Sequence, residues 1–418
     1  MASAELRQRP VVKDVPAPNL AAGVTEPEDA KDARVKHPSG KRQHGPIYSL
    51  LRAFSLAVYF TCSLIVLTSL HVTQFLGSPL YWLNPELFYA YMALTKQSFG
   101  LIATTMTHWW APTIIRISGD ASVAGQLSLT PDGLVECAFP ERMVMIANHQ
   151  IYTDWLYLWW VGYTNKPAMH GHLYIILKES LKYIPIIGPG CMFFGFIFMS
   201  RKMATDQPRL AHRLGKLKKK ITSPNGEEFL APMWLLLFPE GTNLSDNGRV
   251  KSAKWAEKIG VKDPRHVMLP RSTGTFFCLN ELKGTVDYVY DCTVAYEGVP
   301  RGGFGEEYFT LSSTFIRGRP PKSVNFYWRR FALADMPLDD EKAFGQWMQD
   351  RWYEKDELLE QYVTTGRFPA NGAGIKGHLE TEVRTKHWWE FIKIYVMLGA
   401  FGLIFRVILQ GLRAIRGF

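Results

Sequence analysis

The distribution of apolar and charged residues divides the chain into segments of different character. Residues 1–46 combine Pro and Ala with charges of both signs and show no hydrophobic periodicity, which predicts a disordered tail. We expect deletion of residues 2–40 to change neither membrane anchoring nor activity. The run from Ala53 to Leu76 contains no Asp, Glu, Lys or Arg and is long enough to span a bilayer, with a buried helix of a soluble protein as the alternative. Residues 80–112 are aromatic and weakly charged, and predict a second helix that spans the membrane or lies at its interface. We therefore expect membrane anchor helices over residues 47–112.

From about Ile114 onward, short apolar runs alternate with helical patterns. Strand-like runs such as RMVMIA, LYIILK and LLLF are continuously apolar, as expected of strands covered by helices on both faces. Further strand-like runs are GFIFMSR, HVMLP, VYDCTVAY and SVNFYWRRFAL. This alternation predicts an α/β domain over residues 113–365, with a mixed, mostly parallel sheet covered by helices and a charged last helix from about Asp339 to Tyr362.

The C-terminal part of the chain returns to an apolar, aromatic composition. The Gly- and Pro-rich start of residues 366–385 predicts a linker to a last helix over residues 386–418. The uncharged core of that helix, from Ile394 to Phe405, is short for a bilayer span, but Lys393 and Arg406 have side chains long enough to reach the two interfaces. The pattern leaves two possibilities open, a full membrane span and a helix that lies in the interface.

Composition narrows the choice of partners. Aromatic residues make up 13% of the chain, with 13 Trp, which favours a protein at a membrane interface. The net charge of +10 indicates an anionic partner, and nucleic acid is the weakest candidate because the basic residues are scattered and no nucleic-acid-binding signature is present. The five cysteines show no CxxC spacing, which argues against a disulfide framework and a cysteine-built zinc site, and fits a reducing environment that faces the cytosol. We expect no metal site.

Two ionisable residues, His149 and Asp154, stand between apolar flanks in the stretch MIANHQIYTDWLYLW. On one continuous helix they would point in different directions, but a strand ending near Ala147 and a tight turn through Asn148 remove this difficulty. A helix that starts near Thr153 then places Asp154 in its first turn, where the helix dipole favours a carboxylate. Asp154 can accept a hydrogen bond from one imidazole nitrogen and leave the other to act as a base. The alternative is a solvated histidine and an aspartate that only caps the helix.

Three further segments carry candidate ligand contacts at the ends of predicted strands. LLLFPEGTNLS ends a buried strand in a turn where Gly241 can expose backbone N–H groups to an anion. GFIFMSR delivers Arg201, whose guanidinium is suited to bind phosphate, although a surface Arg is the commoner explanation. VMLPRSTG ends another predicted strand in Pro270 and Arg271. In a parallel sheet, strand ends of this kind meet at the edge where ligands bind.

In this order the four segments resemble the signature of the glycerolipid acyltransferase family, which consists of NHxxxxD, a GxxFxxR-like block, FPEG and a proline-containing block. They stand here as NHQIYTD, GFIFMSR, FPEGT and MLPRSTG, and the first and third match in full. The resemblance covers about residues 50–365 and looks most like the eukaryotic branch that acylates lysophosphatidate, lysophosphatidylinositol and lysocardiolipin. Arg271 departs from many relatives of the bacterial type, which have an apolar residue there, and this leaves the acceptor open.

The resemblance implies an α/β acyltransferase that takes its acyl chain from acyl-CoA as co-substrate, uses no other cofactor and acts on a lysophospholipid at a bilayer. His149 would be the general base and Asp154 its orienting partner, without a covalent acyl-enzyme, and no GxSxG sequence offers a serine nucleophile. Backbone N–H groups near the same turn would stabilise the oxyanion. Glu240 would bond a glycerol hydroxyl or fix Arg201. The residues assigned to substrate binding on this basis are Asn148, Arg201, Glu240, Gly241, Thr242, Pro270 and Arg271.

Two other functions share these features. A CoA-independent transacylase would use the same His–Asp pair with a phospholipid as donor, so only a comparison of donors separates it from an acyl-CoA-dependent enzyme. A catalytically idle lipid-binding protein on the same fold is the other alternative, and the intact His–Asp pair argues against it. The expected location is an integral membrane protein of the endoplasmic reticulum, with a mitochondrial membrane as the alternative. The acceptor head group and the oligomeric state are left open by the sequence.

Overall fold

The structure is a computed structural model that describes residues 37–40, 46–200, 202–218, 220–222, 225–370 and 377–415 of the chain. Most of the predicted N-terminal tail lies outside these ranges, and so does Arg201. The helices are α1 Pro46–Leu76, α2 Leu80–Leu83, α3 Pro85–Trp110, α4 Asp154–Thr164, α5 Ile187–Phe193, α6 Met203–Leu217, α7 Asp246–Ile259, α8 Ser272–Leu282, α9 Gly305–Tyr308, α10 Glu341–Thr365 and α11 Lys393–Ile415. The strands are β1 Ile114–Gly119, β2 Leu127–Leu129, β3 Val135–Cys137, β4 Arg142–Ala147, β5 Leu173–Lys178, β6 Ile197–Met199, β7 Lys220–Thr222, β8 Glu228–Leu230, β9 Met233–Leu237, β10 Tyr288–Tyr296, β11 Ser323–Ala332 and β12 Leu379–Glu382.

The main sheet has eight strands in the order β12-β1-β11-β10-β4-β9-β5-β6. Neighbours are parallel along β10-β4-β9-β5-β6 and between β1 and β11, whereas β10 with β11 and β1 with β12 are antiparallel. The predicted α/β class with a mixed, mostly parallel sheet is therefore confirmed. Because β4, β9 and β10 run in the same direction, the loops that follow them meet at one edge of the sheet, where ligands of such folds bind.

Both faces of the sheet are covered, as the continuous apolar runs predict. Met143 and Met145 of β4 belong to a core shared with α1, α3 and α4, whereas Val144 and Ile146 belong to a second core shared with α6, α8 and α10. Strand β9, with the sequence MWLLL, is buried along its whole length. Removing such surface from water is the main stabilising contribution to the fold.

Strand β12 lies inside the range predicted as a linker. Its polar sequence LETE pairs antiparallel with the free edge of β1, from Ile114 opposite Glu382 to Ile117 opposite Leu379. Arg116 also forms an ion pair with Glu380 at 2.8 Å. Thr381 and the following Val383 are buried while Glu380 and Glu382 are exposed, and this alternation is too short and too polar to have predicted a strand within the linker range.

The run HVMLP is not a strand, contrary to the sequence prediction. Its backbone N–H groups are paired with side chains: that of His266 donates to Asp356, that of Met268 to Glu240 and that of Leu269 to Ser252. The run is buried and apolar because it lies beneath other elements, and burial alone does not distinguish such a loop from a strand.

Helix α1 pairs with α3 and extends along the α/β domain. The Tyr59 hydroxyl donates to the Ile102 carbonyl at 2.9 Å, and near the other end of the pair Gln74 donates to Thr95 at 2.7 Å. By length and composition, Ile47–Leu76 is apolar enough to cross a membrane. Its outward face exposes large apolar side chains, among them Ile47, Leu50, Leu51, Phe54, Ile65, Val72, Phe75 and Leu76.

Helix α11 packs against α1 and α3 and contains a shorter apolar stretch, Gly402–Gly411. The apolar side chains that it exposes include Val396, Leu403, Ile404, Phe405, Val407 and Ile408. The prediction of a C-terminal helix that spans the membrane or lies at its interface stays a prediction, with both forms open.

Residues 37–40, which we call the N-terminal strap, dock on the α/β domain although the sequence predicts a disordered tail there. His37 Nε2 lies 2.8 Å from Ser313 Oγ and 3.0 Å from the Tyr308 carbonyl oxygen. Arg319 donates to the Gly40 carbonyl at 2.5 Å, and Ser39 donates to the carbonyl of Pro320. The strap is held by these polar contacts with distant residues, so its composition does not reveal it.

Candidate active site

His149 and Asp154 meet in a strand–turn–helix unit, as the sequence geometry requires. Strand β4 ends at Ala147, the chain turns, and α4 begins at Asp154. The imidazole Nδ1 of His149 lies 2.8 Å from Oδ2 of Asp154. The ring stacks on Phe238, with ring centroids 4.3 Å apart, and 17% of the His149 side chain is exposed.

Asp154 is fully buried and surrounded by hydrogen-bond donors. Its Oδ2 also accepts from the backbone N–H groups of Gln150 at 2.6 Å and Ile151 at 3.0 Å, and its Oδ1 accepts from the hydroxyl of Tyr296. Burial raises the pKa of the Tyr296 phenol well above its ordinary value, so this group stays protonated as a donor. A buried carboxylate with this many donors is fixed in position and stabilised as an ion.

The arrangement leaves one nitrogen of His149 for chemistry. A carboxylate at Nδ1 selects the tautomer with hydrogen on that nitrogen and an electron pair on Nε2. Within the described part of the chain, Nε2 makes no hydrogen bond. The pair can therefore take a proton at Nε2 and stabilise the resulting imidazolium through Asp154.

The turn after β9 lies beside this pair. The N–H of Gly241 donates to the Phe238 carbonyl at 2.9 Å, and Gly241 has a φ of 74°, the left-handed region that favours glycine. The Leu244 N–H donates to the His149 carbonyl at 2.7 Å, which ties the two turns together. The backbone N–H groups of Thr242 and Asn243 have no partner among the residues that the structure describes.

Among the described residues, Glu240 makes inward contacts rather than the outward bond to a glycerol hydroxyl that the sequence suggested, and its alternative contact with Arg201 lies outside these residues. Only 3% of it is exposed, and its carboxylate accepts from the N–H of His149 at 3.1 Å and from that of Met268 at 3.2 Å. Burial raises the pKa of the Glu240 carboxyl to about 8. Glu240 thus joins the His149 turn to the loop of the fourth block, and both of its oxygens are occupied within the protein.

Asn148, also assigned to substrate binding from the sequence, is buried as well. Its amide donates to the Val294 carbonyl at 2.9 Å and accepts from the Val294 N–H at 2.7 Å. This two-way bond joins the end of β4 to β10 in the manner of a backbone ladder. Asn148 therefore positions the turn and leaves no polar atom for a substrate.

The fourth block reaches the site through Arg271. Its N–H donates to the Pro239 carbonyl at 2.8 Å, and its exposed side chain lies over Gly241. The adjacent Pro270 is half-buried. Arg271 is thus brought to the turn after β9, whereas Arg201 lies outside the described residues and its predicted phosphate contact stays a prediction.

The backbone donors of the His149 turn are already used. The N–H of His149 is bonded to Glu240, and those of Gln150 and Ile151 are bonded to Asp154. These three groups are therefore not available to an oxyanion, since each N–H group has a single hydrogen to donate, and the expected donors near this turn stay a prediction.

The four sequence motifs do not predict two of the contacts at the site. Tyr296, the last residue of β10, reaches Asp154, and Glu306 of α9 accepts a hydrogen bond from the Asn243 side chain. Gly305 lies so close to Ile151 that an added Cβ would come within 2.7 Å of its Cγ2, which brings α9 against the His149 turn. Only the pairing of β10 with β4 and the path of the chain after β10 bring these residues to the site.

Comparison with known proteins identifies the class. The family model described as Acyltransferase matches residues 134–297, and the model described as Acyltransferase C-terminus matches residues 314–392. These two matches, together with the paired His149 and Asp154, define the chain as an acyltransferase.

Curated relatives agree with this class. An uncharacterized acyltransferase of Schizosaccharomyces pombe is 36% identical over 340 residues, which cover 81% of this chain and 92% of the relative. A 2-acyl-1-lysophosphatidylinositol acyltransferase of Saccharomyces cerevisiae is 39% identical over 66% of this chain and 75% of its own length. Lysocardiolipin acyltransferase 1 of Danio rerio is 32% identical over 59% of both chains. The chain belongs to the glycerolipid acyltransferase family.

Proposed function

We propose that the protein transfers an acyl chain from acyl-CoA to the free hydroxyl of a lysophospholipid, with His149 as general base. The observation that carries this proposal is the contact of 2.8 Å between His149 Nδ1 and the buried Asp154, which leaves Nε2 as a proton acceptor. The acceptor class is supported by two of the relatives above, which are named as acyltransferases of lysophosphatidylinositol and of lysocardiolipin.

The residues support a direct transfer. His149 Nε2 takes the proton of the acceptor hydroxyl as its oxygen attacks the thioester carbonyl carbon, and Asp154 stabilises the imidazolium that forms. Collapse of the tetrahedral intermediate breaks the carbon–sulfur bond, and the CoA thiolate leaves with the proton from His149. The ester product and free CoA account for all atoms, and no acyl-enzyme is required.

The turn after β9 is suited to hold negative charge during this reaction. The N–H groups of Thr242 and Asn243, which have no partner within the described ranges, are candidate donors to a phosphate or to the oxyanion, and Arg271 places a cation over the same turn. We assign the acceptor phosphate to Arg271 and to the N–H of Thr242, with Gly241 forming the turn that presents this donor, because a guanidinium and a backbone donor together favour a bound oxyanion.

The protein is proposed to work at the surface of a membrane, as its substrates demand. Helix α1 carries an exposed apolar face along its length and α11 carries another. Contiguous exposed apolar surface on this scale fits contact with lipid. The endoplasmic reticulum is the proposed membrane.

A donor and acceptor panel tests the proposal. Purified protein in lipid nanodiscs receives either labelled acyl-CoA or a phospholipid labelled in its acyl chain, with a series of lysophospholipids as acceptors. We expect label to pass from acyl-CoA to a lysophospholipid. Transfer from the phospholipid alone would assign the protein as a CoA-independent transacylase, and transfer from neither donor would contradict the proposed function.

A further inference from the structure

A carboxylate stands at the edge of the proposed acceptor site, where the mechanism gives it no role. Glu306 accepts a hydrogen bond from the side-chain amide of Asn243, the residue after Thr242 in the turn. Both side chains are partly exposed. The pair is thus fixed by an internal contact and also remains open to a ligand.

The pair lies close to the reacting group. The Leu244 N–H bonds the carbonyl of His149, so Asn243 precedes a residue in direct contact with the His149 turn. Gly305 packs against Ile151 on the other side. Burial raises the pKa of the Glu306 carboxyl, and both the bond from Asn243 and the nearby His149 lower it, so Glu306 is within electrostatic reach of the imidazole.

The site therefore combines charges of both signs. Arg271 lies over Gly241, and Glu306 is held at Asn243, two residues further along the same turn. A phosphomonoester carries about 1.5 to 2 negative charges at neutral pH, whereas a phosphodiester carries about one. The monoester would meet more repulsion from Glu306, and it has no head-group hydroxyl to donate to this carboxylate, because its one free hydroxyl is the glycerol group that is acylated. A phosphodiester with a hydroxylated head group would place its single charge near Arg271 and donate hydroxyl hydrogens to the carboxylate.

We propose that Glu306, held in place by Asn243, recognises the hydroxyl groups of the acceptor head group, so that the acceptor is a lysophospholipid with a polyol attached through a phosphodiester rather than lysophosphatidate. This inference rests on the proposed acyl transfer to a lysophospholipid. Glu306 would attract head groups that donate hydroxyl hydrogen bonds and would repel a phosphate that carries a second negative charge. Discrimination between related ligands commonly needs both.

The test compares acceptors that differ only in the head group. Wild type and Glu306→Gln are assayed with labelled acyl-CoA and with lysophosphatidylinositol, lysophosphatidylglycerol or lysophosphatidate of the same acyl chain. Wild type should prefer the two polyol acceptors by kcat/KM. Glutamine can still accept the bond from Asn243 but lacks the charge, so the variant should lose roughly tenfold to a hundredfold with the polyol acceptors, the usual effect of a hydrogen bond to a charged group. Its kcat/KM with lysophosphatidate should stay unchanged or rise.

The adjacent Glu307 provides the matched control, because it is an exposed acidic residue on the same short helix. Glu307→Gln should leave the order of acceptors unchanged. A wild-type protein that prefers lysophosphatidate would overturn the inference, and this result can be obtained without any variant. The inference would also be overturned if Glu306→Gln kept a normal melting temperature but lost the same fraction of kcat/KM with all three acceptors. Activity with no lysophospholipid at all would instead contradict the proposed function itself.

Discussion

The carboxylate of Asp154 is stabilised as an ion by the donors around it. Two backbone N–H groups, the Tyr296 hydroxyl and the His149 imidazole all donate to it in a site closed to solvent. In such surroundings a hydrogen bond is stronger than in water and a missing one costs more. Asp154 is therefore well placed to orient His149 and to offset its positive charge during proton transfer.

Removing one of these donors should slow the reaction without weakening binding. Tyr296→Phe deletes the hydroxyl at Asp154 but keeps the ring, so we expect kcat to fall about tenfold, equivalent to about 1.4 kcal/mol, with KM for both substrates unchanged. Tyr290→Phe on the same strand is the control, since its hydroxyl bonds Gln126 away from the site. Steady-state kinetics that show a raised KM and a normal kcat in Tyr296→Phe would contradict the positioning role.

Glu240 makes the folded protein sensitive to pH. Because burial raises its pKa from 4.5 to about 8, the folded state binds more protons than the unfolded state between these values. The stability that this group contributes is therefore fully present below pH 4.5 and declines as the pH rises towards 8. Glu240→Gln is neutral at every pH, so its melting temperature should fall less than that of wild type between pH 5 and 8. A scan of melting temperature against pH measures this, and equal slopes would show that Glu240 does not titrate there.

At this scale the sequence predicts the pairing of His149 with Asp154 better than the contacts that support this pair. His149 and Asp154 are close in sequence, so their meeting follows from a strand, a turn and a helix start. The partners of Asn148 and Glu240 are backbone groups of β10 and of the loop at Met268, which no side-chain pattern reveals. The phosphate contact proposed for Arg201 from the sequence stays a prediction.

At the level of elements, continuous apolar strands are predicted well apart from the run HVMLP, and polar segments are not. The bounds predicted for β4 and β5 match the structure because each is a continuous apolar run between polar residues. Strand β12 and the N-terminal strap are polar and are held by hydrogen bonds to distant parts of the chain. Their placement depends on the finished sheet edge and on the loop after β10, which local sequence does not encode.

The contacts of the N-terminal strap predict that residues 37–40 are needed for stability and activity, whereas the composition of the tail predicts that they are dispensable. The strap contacts Tyr308 and Ser313, and Tyr308 is the last residue of helix α9, which carries Glu306. Deleting residues 2–36 should leave activity and melting temperature unchanged, whereas deleting residues 2–40 should lower both. His37 has its pKa lowered to about 4 by burial and is neutral at working pH, so His37→Ala should give part of the same loss.

Activity per mole of protein and thermal unfolding of the two deletion proteins provide the measurement. The shorter deletion is the matched control, because it removes most of the tail and keeps the strap. Equal behaviour of the two deletion proteins would support the composition-based expectation that this part of the chain is dispensable.

The whole molecule places the active site, the strap and the apolar helix faces in a defined relation. Both ends of α1 touch the α/β domain, since Arg52 lies against Gly318 and His71 lies against Gly190. The strap precedes α1 and contacts the domain that follows α3. The N-terminal strap and the catalytic domain therefore lie together, and the exposed apolar faces of α1 and α11 fit the proposed work at a lipid surface.

The central claim is that His149 is the base for acyl transfer from acyl-CoA, and its replacement tests this most directly. His149→Ala and the control His212→Ala, which changes an exposed histidine of α6, are purified in nanodiscs and given labelled acyl-CoA with the preferred lysophospholipid. Loss of a general base should lower kcat by about 10² to 10⁴, with unchanged melting temperature and membrane extraction, and the control should match wild type. A His149→Ala protein that turns over at close to the wild-type rate would contradict the mechanism.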